Sequence, residues 1–587
     1  MPRRSSLTLN FSILAGTAWL LIAAQLLAQY WTVSAGSLFD SDDAMRLVEV
    51  RSLLAGHGWF NLHEARIDPP TGYDSHWSRL IDAGLAGLFL LSNLVVDNAM
   101  AERLMRAVWP VLWILPALIG TSAMAWRIAG RHAARIVLAF AVIGLPAFHQ
   151  FTPGRIDHHN VQIVLSILVL AATMWSDRKP WAAGAAGALT GVALAIGFES
   201  LPYLMLAAGA LAVRYMLDRT AMPALRAYGF SVAASGSAAF LLSVGSDRWL
   251  NTACDAIAIN SAAPVAIGGL VIGCGASLLT VESRLMRSAV VMVSAAAAVL
   301  AFILIEPQCL GGPYGMMAPE ARALWLASVP EMRSFFSVAR ESPVFGAWMA
   351  TFPLLALLCA WLLAQDRQQQ RDFAFLVNTV GLCIGVVLTV LMIKGFSYGI
   401  WLGMPLVAVW TFRLFAYLRL TSLPARVLMI FLLAPLTLSL AASTIAYATT
   451  TAGGSFGEKR DCFKIANYDT LARLPAGTVA TNILDYAPHV LALTRHAVMA
   501  APYHRASSAI LAEYRAFMSS PEEARRIFAR SHVNYVAVCG EHGPVGADEA
   551  VLEAGLWGAL RAGAAPDWLA PVAEARGQAF TIYRVRP

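Results

Sequence analysis

Charged residues are scarce in this sequence. Asp, Glu, Lys and Arg make up 13% of its 587 residues, against roughly 25% in an ordinary soluble domain, and 58% of the residues are hydrophobic. A chain of this composition cannot keep most of its length in water, so we expect a polytopic membrane protein. The net charge of +7 does not indicate nucleic-acid binding, because the basic residues lie in short clusters between apolar segments, where they act as topology signals.

Cysteine is also sparse, and its spacing in the apolar part of the chain is not that of a metal site. Cys462 and Cys539 lie in the polar C-terminal region, where an oxidising compartment would allow them to pair; the sequence leaves this pairing open. The remaining five cysteines lie in or beside apolar segments, and we interpret them as small core residues: Cys254, Cys274, Cys309, Cys359 and Cys383.

The N-terminus lacks a clear small-residue cleavage site. Its apolar run, from about Leu9 to Val33, is also longer than the core of a signal peptide. We therefore expect this run to remain as a first transmembrane helix. A span needs about twenty apolar residues, and further candidate segments begin near residues 81, 103, 134, 160, 181, 201, 228, 264, 288, 346, 373, 398 and 426.

Basic clusters in the short connections predict the topology. All of these clusters can share the cytoplasmic side only if the segment at 81–97 is an interfacial helix and does not span. About thirteen spans then remain, with the N-terminus inside and the C-terminal region outside. The outer segments are residues 35–102, residues 152–160, residues 307–345 and the short stretch Lys394–Tyr398.

Hydropathy falls after Thr449, and the glycine-rich stretch Gly453–Gly457 predicts a linker. We therefore divide the chain into a transmembrane catalytic domain, residues 1–449, and an extracytoplasmic α/β domain, residues 450–587. In the latter, Ser520 to Glu523 form a capping box that begins a helix. A strand at 533–538, a helix near 547–562 and a terminal strand at 580–585 complete the pattern.

The first outer loop carries more acids than a connection between helices needs. Asp40, Asp42 and Asp43 begin a short amphipathic helix, and an N-cap at Asp40 or Ser41 would account for one carboxylate there. Three acids in four positions favour a hard-cation site built from oxygen ligands.

Three further clusters on the outer side have both a structural and a functional interpretation. Asp157, His158 and His159 precede an apolar helix, where Asp157 could serve only as a cap; two adjacent histidines at a membrane boundary favour a functional role. Glu331 is either a solvated acid of a long loop or a functional one. Lys394 is either a snorkelling interface residue or a phosphate contact.

The order of these motifs resembles the catalytic subunit of the oligosaccharyltransferases, type C (GT-C) membrane glycosyltransferases, in a bacterial-like single-subunit form. The acid of that family's first loop matches Asp42. Its Gly-x-x-Asp-x-Asp/Glu motif is similar to Gly154–His159, with His159 in place of the last acid. Its Ser-Val-x-Glu motif is similar to Ser328–Glu331, and its basic-Phe-x-Tyr element is similar to Lys394–Tyr398.

The resemblance implies a GT-C fold of about 13 transmembrane helices with a small C-terminal α/β soluble domain. It also implies an inverting, metal-assisted transfer of a glycan from a polyprenyl-(pyro)phosphate donor to an acceptor on the extracytoplasmic face. The implied ligands of Mg²⁺ or Mn²⁺ are Asp42, Asp157, Glu331 and His159. The implied contacts to the donor phosphate are Lys394, Tyr398, Arg333 and Arg155. The candidates to take the acceptor's proton are Asp43, His158 and His159.

One motif of that family departs from its pattern here. The family contacts its acceptor through a Trp-Trp-Asp motif, and the nearest match, around Asp485 and Tyr486, has neither tryptophan. These two residues are the expected acceptor-side positions. The sequence leaves open whether the acceptor is a peptide asparagine.

Two other functions compete with this interpretation. A polyprenyl-phosphate-dependent monosaccharide transferase, modifying a lipid or polysaccharide, would keep the fold and change the substrates. A lipid or polysaccharide flippase would place polar residues near the bilayer midplane. The expected partners of the transferase are a polyprenyl-linked glycan, an acceptor protein, lipid or glycan, and membrane lipids. We expect a bacterial inner-membrane protein with its site and C-terminal domain in the periplasm.

Overall fold

The computed structural model describes residues 3–278, 283–449, 462–575 and 577–586. The stretch Gly453–Gly457, expected to be a linker, lies outside these residues. In the N-terminal part the described residues form twenty α-helices: α1 Arg3–Gly36, α2 Ser41–Leu54, α3 Arg79–Asn93, α4 Asn98–Leu112, α5 Ile114–Ala129, α6 Arg131–Val142, α7 His159–Trp175, α8 Pro180–Ile196, α9 Leu201–Leu217, α10 Met222–Ser243, α11 Ile259–Leu278, α12 Arg284–Ile305, α13 Pro319–Leu324, α14 Phe335–Glu341, α15 Pro343–Leu363, α16 Arg367–Gln370, α17 Phe373–Leu391, α18 Phe396–Tyr417, α19 Leu423–Leu433 and α20 Pro435–Thr449.

A helix is present at each segment that the sequence analysis selected, so the chain is an α-helical membrane protein as expected. Within the described ranges, seven helices are long and apolar enough to cross a membrane, or up to nine if two bent pairs each count as one span. Three further apolar helices, α7, α8 and α9, are shorter. The figure of about thirteen spans stays a prediction. The segment at 81–97 is the fifteen-residue helix α3, and its interfacial placement also stays a prediction.

A buried ion network joins α2 to α3. Nη1 of Arg46 lies 2.7 Å from Asp82 and 3.1 Å from Glu49, and the guanidinium stacks 4.5 Å from the centroid of Trp77. Arg79 adds a second cation 3.0 Å from Asp82. Each buried charge therefore has an opposite partner, which burial demands. This network sets the position of α2, whose first turn carries the acids of the first loop.

The C-terminal part is a small α/β domain, as expected. Its sheet has the strand order β4-β3-β5-β7-β6, with β4, β3 and β5 parallel and β7 antiparallel to both β5 and β6. The strands are β3 Thr478–Thr481, β4 Ala497–Val498, β5 Val533–Cys539, β6 Leu569–Pro571 and β7 Phe580–Val585, after the hairpin β1 His63–Glu64 and β2 Tyr73–Asp74 of the first loop. The helices are α21 Asp469–Arg473, α22 Ala487–Leu493, α23 Ser507–Met518, α24 Pro521–Arg530, α25 Glu549–Ala554 and α26 Leu556–Arg561.

The N-cap at Ser520 is confirmed, since its hydroxyl accepts a hydrogen bond from the Glu523 backbone and Pro521 begins α24. The Glu523 carboxylate pairs with Arg526. The single helix expected near 547–562 is wrong. Gly555 is extended there and divides it into α25 and α26. A Cβ at Gly555 would lie 2.7 Å from the backbone of Met518, and the following amide donates to Ser519 O at 2.7 Å. This close approach between backbones explains both the break and the glycine.

The α/β domain packs directly on the first loop. Ile67 forms a parallel bridge to Val498 at the edge strand β4, and the Val498 amide donates to Arg66 O at 2.7 Å. Near the start of α2, the hydroxyl of Tyr503 donates to Ser41 O at 3.3 Å. The loop and the domain therefore form one continuous wall above the helices.

The described residues contain two disulfides, one in the α/β domain and one between two connections of the helical part. Cys462 pairs with Cys539, which answers the question that the sequence left open. Cys254 pairs with Cys309, so the expectation that both are small core residues is wrong. The sequence obscured this pair because each cysteine lies close to an apolar segment. In the fold, the connection before α11 and the turn after α12 bring the two together.

Candidate active site

We call the end of the helix bundle that carries the first loop and the α/β domain the loop end. Asp40 begins α2 there, and its Oδ1 accepts hydrogen bonds from the amides of Asp42 and Asp43, both at 3.0 Å. The capping interpretation is therefore correct for Asp40. Asp43 has another role, because its Oδ1 accepts from the amides of Ile156 and Asp157 at 2.6 and 3.1 Å. The first acidic turn thus holds the second outer loop in place.

Arg155 lies among three carboxylates. Its guanidinium bonds Asp40, lies 2.8 Å from Asp157 and 3.5 Å from Asp43, and also donates to Gln150 at 2.8 Å. Burial would lower the pKa of Arg155, but these carboxylates raise it well above its ordinary value. The side chain expected to contact a donor phosphate is therefore engaged by acids of the site. We correct its role to that of a cation shared by these acids, and its charge lowers the pKa of Asp157.

His159 has one engaged and one open nitrogen. Nδ1 lies 2.8 Å from Oε2 of Glu199, so that carboxylate favours the tautomer with the proton on Nδ1. Nε2 is buried without a hydrogen-bond partner among the described residues, at 3.7 Å from Glu331 and 4.0 Å from Asp157. A carboxylate that orients a histidine in this way is typical of the surroundings of a metal-binding imidazole.

Asp42 interacts electrostatically with the same three residues, Asp157, His159 and Glu331. Burial raises the pKa of Asp42 well above its ordinary value, and the charges of Asp40, Glu331 and Asp157 raise it further. Burial would also raise the pKa of Asp157, but Arg155 and the neighbouring histidines outweigh it and lower that pKa to about 2. The four residues predicted to hold a cation are therefore brought together, although three separate loops supply them.

These groups fit a divalent cation. Carboxylates outnumber the cations that neutralise them, and a buried imidazole nitrogen points at two of the carboxylates. In the described ranges, ligand atoms lie within 4.8 Å of one another in three groups: Asp40 with Asp43 and Asp157; His158 with His159 and Glu199; and His76 with Asp255 and His504. Arg155 already occupies the first of these groups.

A cavity of about 330 Å³ adjoins these residues. Its polar lining includes Lys394, whose Nζ lies 2.5 Å from Glu199, and Tyr398, whose ring stacks 4.7 Å from that of Tyr203. His158 also lines this cavity, and burial, together with the charge of His159, lowers its pKa to about 3. Apolar side chains also line this cavity, among them Leu201, Pro202, Leu388 and Met392.

Three expected site residues lie elsewhere. Arg333 pairs with Glu341 and donates to Ser337 at 2.6 Å, so the salt bridge within its own loop holds it away from the cavity. Tyr486 is buried in the core of the α/β domain, where its ring packs 5.5 Å from Phe463 and 5.6 Å from Phe580. Its neighbour Asp485 bonds His489 through its backbone carbonyl. The buried ring of Tyr486 contradicts its acceptor-side assignment, whereas the assignment of Asp485 stays a prediction.

The α/β domain approaches the site through a different segment. Tyr503 packs 5.6 Å from Trp77, and His504 lies 2.5 Å from Asp255. The sequence analysis missed Glu199, Asp255 and His504 as site residues. The charge rule that placed the other outer loops would also have placed the α8–α9 and α10–α11 connections on the outer side, and each of them carries one of these acids.

We compared the chain with known proteins. No family model matches the sequence, and no curated protein matches it significantly. Solved structures do match. The apo oligosaccharyltransferase of Archaeoglobus fulgidus aligns at 14% identity over 90% of this chain and 69% of its own, with a TM-score of 0.65. AglB of the same organism, in complex with an inhibitory peptide and a dolichol-phosphate, aligns at 13% identity over 88% and 69%, with a TM-score of 0.62.

ArnT from Cupriavidus metallidurans, bound to undecaprenyl phosphate, covers 97% of this chain and 98% of its own at 14% identity, but its TM-score of 0.37 is too low to carry an argument. The two archaeal structures establish the fold. The chain has the GT-C architecture that the motif order implied, and the resemblance is confirmed at the level of fold.

Proposed function

We propose that this protein is a membrane glycosyltransferase that moves a glycan from a polyprenyl-linked phosphate or pyrophosphate to an acceptor, with the help of a divalent cation and with inversion at the anomeric carbon. One observation carries the proposal. Asp157 and Glu331 approach the open Nε2 of His159, and Asp42 interacts electrostatically with all three, beside a cavity lined by both polar and apolar side chains. The GT-C fold supports it.

The cavity suits an amphipathic donor. Its apolar side chains fit an isoprenoid chain, and Lys394 provides a cation for the phosphate. An ammonium has three N–H donors, so Lys394 can bond a phosphate oxygen while it keeps Glu199. Tyr398 adds a hydroxyl to the lining.

The cation site contains both carboxylate oxygens and an imidazole nitrogen. Mg²⁺ prefers oxygen ligands, whereas Mn²⁺ accepts both kinds, so His159 favours Mn²⁺ of the two. When bound, such an ion neutralises the charge that develops on the leaving phosphate. Around it, Glu199 orients His159 and Arg155 keeps Asp157 ionised.

The acceptor's proton needs a base that is free to take it. Oδ1 of Asp43 is occupied by two backbone amides, and His159 faces the cation ligands. The ring of His158 packs 4.5 Å from His159 and 5.9 Å from Trp77. Asp43 and His159 are therefore engaged elsewhere, whereas His158 lines the donor cavity.

The two disulfides support the sidedness that the charge rule predicts. Both lie at the loop end, and disulfides persist in oxidising compartments such as the bacterial periplasm. We therefore infer that the site and the α/β domain, residues 450–587, face the extracytoplasmic side, and that the helices of residues 1–449 span the membrane.

A lipid or glycan acceptor is favoured over a peptide asparagine. The nearest counterpart of the family's acceptor motif is buried in the core of the α/β domain at Tyr486, so it offers no surface to a peptide. This observation favours the second candidate function, a polyprenyl-phosphate-dependent monosaccharide transferase that modifies a lipid or polysaccharide.

The test is a transfer assay with purified protein. Membrane lipid extract supplies the donor, Mn²⁺ or a chelator is added, and mass spectrometry detects the acceptor that gains mass and the size of the gain. We expect the variants D42N, D157N and E331Q to lose transfer by at least ~100-fold while unfolding at the wild-type temperature. Wild-type transfer in all three variants would refute the proposed mechanism.

A matched control is Asp177→Asn. Asp177 pairs with an arginine at the opposite end of the helices, so this variant makes the same carboxylate-to-amide change away from the site. Its transfer rate should equal that of the wild type. The mass gained by the acceptor separates a monosaccharide donor from an oligosaccharide donor.

A further inference from the structure

A second cavity, of about 400 Å³, lies beside the donor cavity. The two linings share seven residues, four of which carry aromatic or charged side chains: His76, Trp77, Asp255 and His504. These four side chains therefore line both cavities.

The shared lining contains an oriented imidazole. Nε2 of His504 lies 2.5 Å from Oδ2 of Asp255, and Arg505 donates to both oxygens of that carboxylate at 2.7 Å. Burial would raise the pKa of Asp255, but His504 and Arg505 outweigh it and hold that pKa well below its ordinary value. An ionised carboxylate accepts the Nε2 proton of His504, which leaves Nδ1 as the basic nitrogen.

A second imidazole also lines both cavities. The ring of His76 lies 4.7 Å from that of His504, and its Nδ1 lies 3.1 Å from the hydroxyl of Tyr73. Burial, and next the charge of His504, lowers the pKa of His76 well below its ordinary value. His76 is therefore neutral and a weak base. It can form a hydrogen bond with an acceptor hydroxyl while His504 takes the proton of that hydroxyl.

The Cys254–Cys309 disulfide holds the segment that carries Asp255. It joins the residue directly before Asp255 to the turn after α12, and the side chain of Asn260 bonds both backbone groups of Ala253. The carboxylate that orients His504 thus lies on a fixed segment, as an oriented base requires.

We propose that this second cavity binds a hydroxyl-bearing acceptor, a sugar or polyol, and that His504, oriented by Asp255, takes the proton of the attacking hydroxyl. The inference rests on the proposed function and names its acceptor site. The remaining lining carries hydroxyl and amide groups suited to such a molecule, among them Ser75, Ser78, Asn251 and Thr252. An imidazole is a suitable general base for a hydroxyl near neutral pH, whereas an amide N–H is far too weak an acid for it.

The step balances. The acceptor O–H bond breaks and its proton moves to Nδ1 of His504, while the acceptor oxygen forms a bond to the anomeric carbon. The bond from that carbon to the phosphate oxygen breaks, and its electron pair leaves with the phosphate. The imidazolium then returns the proton to solvent.

The experiment compares H504A and D255N with the wild type, in full-length protein with membrane lipid extract as donor. Methyl glycosides serve as hydroxyl probes and an asparagine-containing peptide as the amide probe. We expect the wild type to modify a methyl glycoside. We expect H504A to lose ~100-fold or more of this transfer, D255N to lose less, and added imidazole to restore part of the loss in H504A. The amount of polyprenyl phosphate that copurifies should be unchanged.

The control H57Q replaces an exposed histidine of the first loop and should transfer like the wild type. Wild-type transfer by H504A, loss without imidazole rescue, or modification of only the peptide would each overturn the acceptor site. D42N separates the two claims. If D42N is inactive while H504A is active, only this inference fails, whereas full activity in D42N, D157N and E331Q alike refutes the proposed function.

Discussion

Two arginines near opposite ends of the helix bundle each hold a group of carboxylates, and only one group has the features of a site. Arg127 lies 3.1 Å from Asp372 and also bonds Asp177, so two acids face one cation, and both acids are partly exposed. At the loop end, Arg155 faces three acids of its own. The neighbouring Glu331 and the open Nε2 of His159 lie beyond its reach.

The comparison shows that an arginine–carboxylate cluster is not by itself a mark of function. Asp177 and Asp372 are partly exposed, so water as well as the guanidinium of Arg127 solvates them. Asp43 and Asp157 are fully buried beside Arg155 and have no such relief, and a buried carboxylate is stable only if it is paired, protonated or bound to a cation. These fully buried acids, together with the orphaned Nε2 of His159, distinguish the loop end.

The largest expected effect comes from removing each arginine in turn. Arg155→Met leaves Asp40, Asp43 and Asp157 without their shared cation, and the pKa of Asp157, now about 2, should rise. We expect transfer to fall by ~100-fold or more. Arg127→Met should reduce the free energy of unfolding by roughly 1–3 kcal/mol and leave the transfer rate per folded molecule unchanged. Thermal unfolding and the transfer assay check both. Equal losses of transfer in the two variants would contradict the proposal that only the Arg155 cluster belongs to the active site.

The next largest effect is on Mn²⁺ binding and concerns the orientation of His159. Glu199→Gln should weaken Mn²⁺ binding by ~10–100-fold, because it removes the carboxylate that orients His159. The readout is the rise in unfolding temperature as Mn²⁺ is added, which follows ligand affinity and requires no transfer activity. Glu341→Gln, which breaks the exposed pair with Arg333, is the matched control. An identical Mn²⁺ response in both variants would contradict an orienting role for Glu199.

Much of the loop end was predictable from the sequence, and the reason is physical. Charge asymmetry along the chain fixes sidedness, so Asp42, Asp157 and Glu331 could be assigned to one face without any knowledge of packing. The predictions for Arg333 and Tyr486 were wrong because they depended on contacts in space. Arg333 pairs with Glu341, eight residues away, and Tyr486 packs in the core of the α/β domain. The prediction for Cys254 and Cys309 was wrong for the same reason, because the distance between helix ends determines whether they pair.

A smaller effect tests whether the loop end depends on its covalent link. The double variant C254S/C309S removes the disulfide that holds the segment carrying Asp255. Because Asp255 would then orient His504 less well, we expect transfer to fall about 3- to 10-fold. Mn²⁺-induced stabilisation should be unaffected, because none of the proposed cation ligands lies on that segment. The matched double variant C462S/C539S removes a link inside the α/β domain and should lower the unfolding temperature with little change in transfer per folded molecule. Reduced transfer in C462S/C539S, with unchanged transfer in C254S/C309S, would contradict a role for Asp255 in the reaction.

We expect the smallest effect on transfer at neutral pH from substitution of Glu513. This buried acid of the α/β domain has no arginine partner among the hydrogen bonds of the described residues, unlike the acids beside Arg127 and Arg155. Oε1 of Glu513 accepts hydrogen bonds from the amide and hydroxyl of Thr481, at 2.8 and 3.3 Å. Burial raises the pKa of Glu513 to about 8, so the folded state retains a proton that the unfolded state releases above about 4.5. Stability therefore falls as pH rises from about 5 to 8 and levels off above that range.

We expect E513Q, which keeps a neutral group of similar size, to flatten this pH dependence, measured as the unfolding temperature of the full-length protein in detergent. The wild type should lose about 5–10 °C across the range, while E522Q, a change at the exposed start of α24, should behave like the wild type. A parallel decline in wild type and E513Q would show that Glu513 does not hold the proton. Such a result would weaken the contrast between Asp157, which Arg155 keeps ionised, and Glu513, which burial keeps neutral.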